Sequence, residues 1–140
     1  MQPLIETLAL GHVSEVKLVL ATALAAAALY QASLMAVGYG VVRLPFLRPA
    51  PASKTHRALG DAVVAVTLVV AAMCVGYFGF EAEESDAHVP VALALIGVLA
   101  FKIAVVRWIP RLGFLLPLLG VTVMGLFVAT WATTATRYLG

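Results

Sequence analysis

The chain has 140 residues, a net charge of +2, 63% hydrophobic and 11% charged residues, and a mean hydropathy of +1.04. A soluble domain carries roughly 25% charged residues, so this composition excludes a water-soluble globule and makes lipid the solvent. No basic block and no basic stripe interleaved with aromatics is present, so nucleic-acid binding has no support.

The opening segment, MQPLIETLALGHVSE, contains no Lys or Arg and so lacks the basic start of a cleavable signal; it is expected to be retained. Pro3 followed by Leu4, Ile5, Leu8 and Leu10 predicts a short amphipathic helix on the membrane surface. Crossing the hydrocarbon takes about 20 apolar residues in a helix, because strands and loops leave backbone polar groups unsatisfied in lipid. Four segments qualify: about Val16 to Val42, Ala58 to Phe80, Val89 to Trp108 and Leu112 to Tyr138. Pro45, Pro49 and Pro51 interrupt the first connection, Pro90 opens the third helix and Pro110 separates the third from the fourth. Pro117, within the first two turns of the fourth, predicts a kink there.

The basic residues orient the bundle. Arg43, Arg48, Lys54 and Arg57 lie in or beside the first connection, and Arg107 and Arg111 flank the third. The other side has Lys17 and Arg137, against Glu6, Glu15, Glu81, Glu83, Glu84 and Asp86. Basic residues stay cytoplasmic, so both termini are expected outside. The fold class is an all-α membrane protein, an up-down-up-down four-transmembrane-helix bundle of one domain spanning residues 1–140. Small residues should mark the helix interfaces: Ala21, Ala23, Ala25, Ala26, Ala27, Gly38 and Gly40 in the first helix, Gly120 and Gly125 in the fourth. Thr122, Thr130, Thr133 and Thr134 can bond to their own helix backbone.

Polar residues at depth carry the functional information. Asp61 and Lys102 fall at similar depth on antiparallel helices. They either form an ion pair or reach separately for interfacial water. Gln31, near the middle of the first helix, needs a partner for its amide, either a neighbouring helix or a ligand. Cys74 cannot form an intrachain disulfide and reads as a buried, inert thiol. His12, His56 and His88 each stand at a helix end, where a histidine is either an interfacial polar residue or an axial ligand for haem iron. His56 and His88 begin antiparallel helices from opposite faces, roughly 30 Å apart, and cannot share one haem. An outer haem at His88 would take its second ligand from His12 or Met73; a site at His56 would need a second subunit. Met73 is otherwise core packing. No HExxH, CxxC, GxGxxG or Walker motif is present, so no catalytic activity of its own is expected. The outer EAEESDAH segment reads as a solvated acidic turn.

These pieces occur in a particular order: LYQASLMAVG with Gln31, HRALG with His56, Arg57 and Gly60, MCVGYFGF with Cys74, His88, FKIAVVR with Lys102 and Arg107, LPLLG with Pro117 and Gly120, and TWATTA with Trp131. In that order, over residues 20–137, the chain resembles an uncharacterised, mostly actinobacterial family of small four-helix membrane proteins, a domain of unknown function. That family is similar in plan to transmembrane b-type cytochromes. A histidine often precedes the helix-2 cysteine in it, and with the helix-3 histidine it implies a clamp on one haem. Met73 stands there in this chain, which implies a Met/His haem or none. The expectation is a haem-b-binding or redox-associated electron-transfer subunit of a bacterial cytoplasmic membrane. Its contacts would be lipid, other membrane subunits or a second copy, and possible quinone. A cofactor-free accessory subunit is the alternative, and a small transporter the third.

Overall fold

A computed structural model describes residues 2–43, 45, 49–78 and 87–139. Arg48 and the acidic residues Glu81, Glu83, Glu84 and Asp86 lie outside the described residues, as does the Arg137 side chain. The described chain is helical: α1 (Gln2–Leu8), α2 (Val13–Gly38), α3 (Pro49–Met73), α4 (His88–Arg107) and α5 (Leu116–Leu139). A π-helical turn, Cys74–Phe78, extends α3, and a 3-10 turn, Pro110–Leu115, leads into α5. Among the described residues, four helical segments are long and apolar enough to cross a membrane: Val13–Gly38, Pro51–Tyr77, His88–Arg107 and Pro110–Thr136.

The expected short amphipathic segment is α1. Its Ile5, with Ala9 just beyond it, is buried against Val13, Val16, Met73 and Tyr77. The chain turns from α1 into α2 through Leu10 and Gly11, at φ of 52° and 81°. Helix α2 stops earlier than its apolar run suggests. Gly40 adopts φ of 73°, and the amides of Gly40 and Val41 close back onto the Val37 and Ala36 carbonyls at 2.9 Å each. That is a left-handed glycine cap, which ends a helix by satisfying its last carbonyls. Helix α3 starts earlier than expected, because Pro49 and Pro51 occupy its first turn instead of the connection. A proline costs little there, since the first amides of a helix have no carbonyl to bond. Pro117 likewise sits in the first turn of α5, where the 3-10 turn passes into α-helix, and not inside a long helix.

Helix α2 packs against α3 and α5, and α4 packs against α5, whereas α3 and α4 barely touch. Sequence adjacency therefore does not close the bundle between its second and third spans. The centre is an apolar layer of Leu24 and Ala28 from α2, Leu95 and Leu99 from α4, and Val123 and Phe127 from α5, with Val63, Val64 and Val70 of α3 against it. Each buried pair has i, i+4 spacing, which places both side chains on one helix face. Of the small residues expected at interfaces, Ala25 is buried but Ala23 and Ala26 are exposed, and a Cβ on Gly38 would stand 3.1 Å from Ser53 Oγ, marking close approach of α2 and α3. A Cβ added at Gly120 or Gly125 would meet nothing within 4 Å, so among the described residues neither glycine marks a close helix contact. The threonines bond as expected: Thr122, Thr130 and Thr134 donate to carbonyls four residues back, and Thr133 to one three residues back.

Candidate functional site: a cleft and a buried amide at opposite ends of the bundle

The bundle has a terminal face, where α1 lies and α5 ends, and a basic face, where Arg43, Lys54, Arg57, Arg107 and Arg111 cluster near the connections. Polar side chains collect inside the bundle at two levels. Lys17 and Gln31 mark them on α2, and at about 1.5 Å per residue they are about 21 Å apart along the helix.

In the terminal half, all four long helices line a cleft of about 140 Å³. Apolar residues such as Leu24, Val70, Leu95 and Phe127 form most of its wall, while Lys17, Thr67, Cys74, His88, Thr130, Trp131 and Thr134 supply its polar groups. It exists because α3 and α4 do not close on each other. Val75 and Leu93, lining residues on those two helices, are 45% and 55% exposed and stand at its mouth. Cys74 and Val75 belong to the π-helical turn, a feature that often accompanies functional sites because it rotates side chains out of the α-helical register.

His88 is fixed here by a short relay. Thr133 Oγ1 lies 2.9 Å from His88 Nδ1, and the Thr133 hydroxyl donates to the Thr130 carbonyl at 2.9 Å. A hydroxyl whose proton goes to that carbonyl accepts from an imidazole N–H, and this arrangement suits the Nδ1–H tautomer. Trp131 Nε1 donates to Thr22 Oγ1 at 3.0 Å, tying α5 to α2. Lys17, only 9% exposed, lines the cleft and is not a surface charge of the terminal face.

The other expected ligands are elsewhere. His12 is exposed and sits 3.4 Å from Glu15. Met73 packs with the Ile5, Ala9 and Val13 cluster under α1, and neither residue lines the cleft. Among the described residues no group of three or more His, Cys, Asp or Glu side chains could hold a metal ion. Tested against haem b, the cleft supplies one oriented imidazole. Its volume of about 140 Å³ is close to the roughly 150 Å³ cavity that takes a single benzene ring. These residues suit one ring better than a porphyrin with two axial ligands.

Toward the basic face, His56 Nδ1 lies 3.3 Å from the Gln31 main-chain carbonyl, so α3 is anchored to α2 at that level. His56 and His88 thus sit at different levels, and the structure does not bring them together. Asp61 pairs with Arg107 at 3.4 Å, two exposed groups at the bundle's end, and no ion pair between Asp61 and Lys102 is found among the described residues. Lys102 is half-buried. The Gln31 amide, expected to bridge helices, makes no hydrogen bond to protein. Sequence reading missed the cleft itself, Lys17 as a lining residue, and Thr133 as the partner of His88. The run of hydroxyls in TWATTA was the available signal for the last.

Residues 2–140 match one family model, described as a family of unknown function (DUF6529). No curated protein and no solved structure matches the chain.

Proposed function

The chain belongs to the DUF6529 family, whose description assigns no activity, and from the site we propose a redox-associated accessory subunit of a bacterial cytoplasmic membrane. In this reading the cleft receives the ring of a quinone-class carrier and presents it to a larger membrane partner. The carrying observation is the sideways opening between α3 and α4, with an apolar mouth at Val75 and Leu93 and polar groups within. A lipid-soluble ring with a long apolar tail suits such a shape. The ring enters from the bilayer, the tail stays among lipid chains, and ring oxygens meet donors and acceptors. The Lys17 ammonium can donate to a quinone carbonyl, and the oriented His88 ring offers an acceptor to a quinol hydroxyl. The size argues for a single ring held in place while electrons come from elsewhere.

Haem b is the rival for the same cleft, supported by the Thr133-oriented His88 imidazole, since iron-ligating histidines usually have their second nitrogen fixed in this way. One preparation separates the two. Purified protein expressed with ample haem is examined first by a dithionite-reduced minus oxidised spectrum. A Soret and α-band that disappear in His88→Ala would replace the quinone reading by haem. Without them, a short-chain benzoquinone is titrated against Trp131 fluorescence in a Trp108→Phe background. Saturable quenching, weakened at least about tenfold by Ala92→Phe, which fills the cleft wall, is expected. Quenching that is linear and unchanged in Ala92→Phe would overturn quinone binding in the cleft.

A further inference from the structure

Gln31 presents a separate problem. Its residue is 8% exposed, and both amide atoms, Nε2 and Oε1, are buried without a protein hydrogen-bond partner. An amide taken out of water with nothing in exchange costs roughly 1–3 kcal/mol by mutational measures, and more where no solvent can reach it. Two features around it make room and supply polarity. Gly60 faces the amide, and a Cβ there would stand 3.8 Å from Gln31 Nε2, in ordinary van der Waals contact, so the glycine leaves room of about one methyl group beside it, roughly that of a water. His56, four residues earlier on the same face of α3, has its Nδ1 on the Gln31 carbonyl.

An amide whose donor and acceptor are both bare calls for a guest that both accepts and donates. An anion would meet Nε2 but clash with Oε1, and a cation the reverse. Water does both, and it needs only about one probe sphere of space and two to four polar partners. The central apolar layer of Leu24, Ala28, Leu95, Leu99, Val123 and Phe127 separates Gln31 from the cleft. Access is therefore from the basic face, past His56. We propose that Gln31, His56 and the space opposite Gly60 form a second polar site that holds bound water drawn from the basic face and ends blindly at the apolar layer. This site is independent of what occupies the cleft.

Solid-state NMR of the full chain in lipid bilayers tests it. The sequence has two glutamines, Gln2 and Gln31, so ¹⁵N-glutamine labelling with Gln2→Glu isolates the Gln31 amide. The expected result is rapid magnetisation transfer from water to the Gln31 side-chain protons, and loss of their signal in D2O. In Gly60→Val, whose methyls would occupy the space, the transfer falls severalfold while the His88 ring signals stay in place. A wild-type Gln31 amide that takes no magnetisation from water and persists in D2O would overturn the proposal. So would unchanged transfer in a folded Gly60→Val.

Discussion

His88 shows how a single hydroxyl decides what a histidine offers. Thr133 can bond its own helix backbone and still accept from the imidazole, because a hydroxyl has one proton and two lone pairs. Thr133→Val keeps the shape but removes the acceptor. Interhelical hydrogen bonds inside membrane proteins average about 0.6 kcal/mol, and soluble ones about 1 kcal/mol, so a stability loss of about that size is expected in reversible unfolding in mixed detergent. The more specific consequence is at the ring. The ¹⁵N spectrum of His88 should lose its dominance by the Nδ1–H form in Thr133→Val and recover it in Thr133→Ser. An unchanged tautomer in Thr133→Val would show that something other than Thr133 orients the ring.

Among the elements, the contact between α2 and α3 is set by Gly38. The space between its backbone and Ser53 Oγ, 3.1 Å from an added Cβ, is tighter than a branched side chain tolerates. Gly38→Val is expected to destabilise the bundle by about 1–3 kcal/mol, the usual cost of overpacking, and Ser53→Ala should recover part of it. Equal losses with and without Ser53→Ala would place the strain elsewhere. The same elements show what sequence could and could not reveal. The spans were legible because lipid imposes length and apolarity on any helix that crosses it, and α1 was legible as a short helix after Pro3, although Leu10 falls beyond its end and is exposed. Helix rotation and pairing were not. Met73 and Cys74 are adjacent in sequence, yet one packs under α1 and the other lines the cleft, because neighbouring residues of a helix point about 100° apart. The π-helical turn that starts at Cys74 leaves no periodic mark in an all-apolar run. The gap between α3 and α4 was hidden for a related reason: a short connection suggests packing but does not enforce it along the whole length of two helices. Asp61 took Arg107 over Lys102 because equal depth says nothing about which side of α4 a charge occupies.

At the scale of the whole molecule, two polar levels lie on either side of an apolar layer, and the membrane gives each level a side. Arg43, Lys54, Arg57, Arg107 and Arg111 stand at the basic face, while Lys17, toward the terminal face, is buried in the cleft and adds nothing to surface charge there. Translocation retains basic flanks in the cytoplasm, so the basic face should be cytoplasmic and the cleft should open into the outer leaflet. Cys74 is the single cysteine, so a Cys74→Ala background makes introduced thiols unambiguous reporters. His12 and Lys54 are exposed residues near opposite faces. With a membrane-impermeant maleimide, His12→Cys should react in intact spheroplasts and Lys54→Cys only after permeabilisation. The reverse pattern would put the cleft in the inner leaflet and make the Gln31 level accessible from outside. Labelling of both positions in intact spheroplasts would mean that the chain inserts in two orientations. That result would be understandable only if the basic residues near the connections count for less than their number suggests. Replacing Arg107 and Arg111 with Gln should then shift the ratio of the two populations, since Arg107 ends α4 and Arg111 lies in the turn that leads into α5.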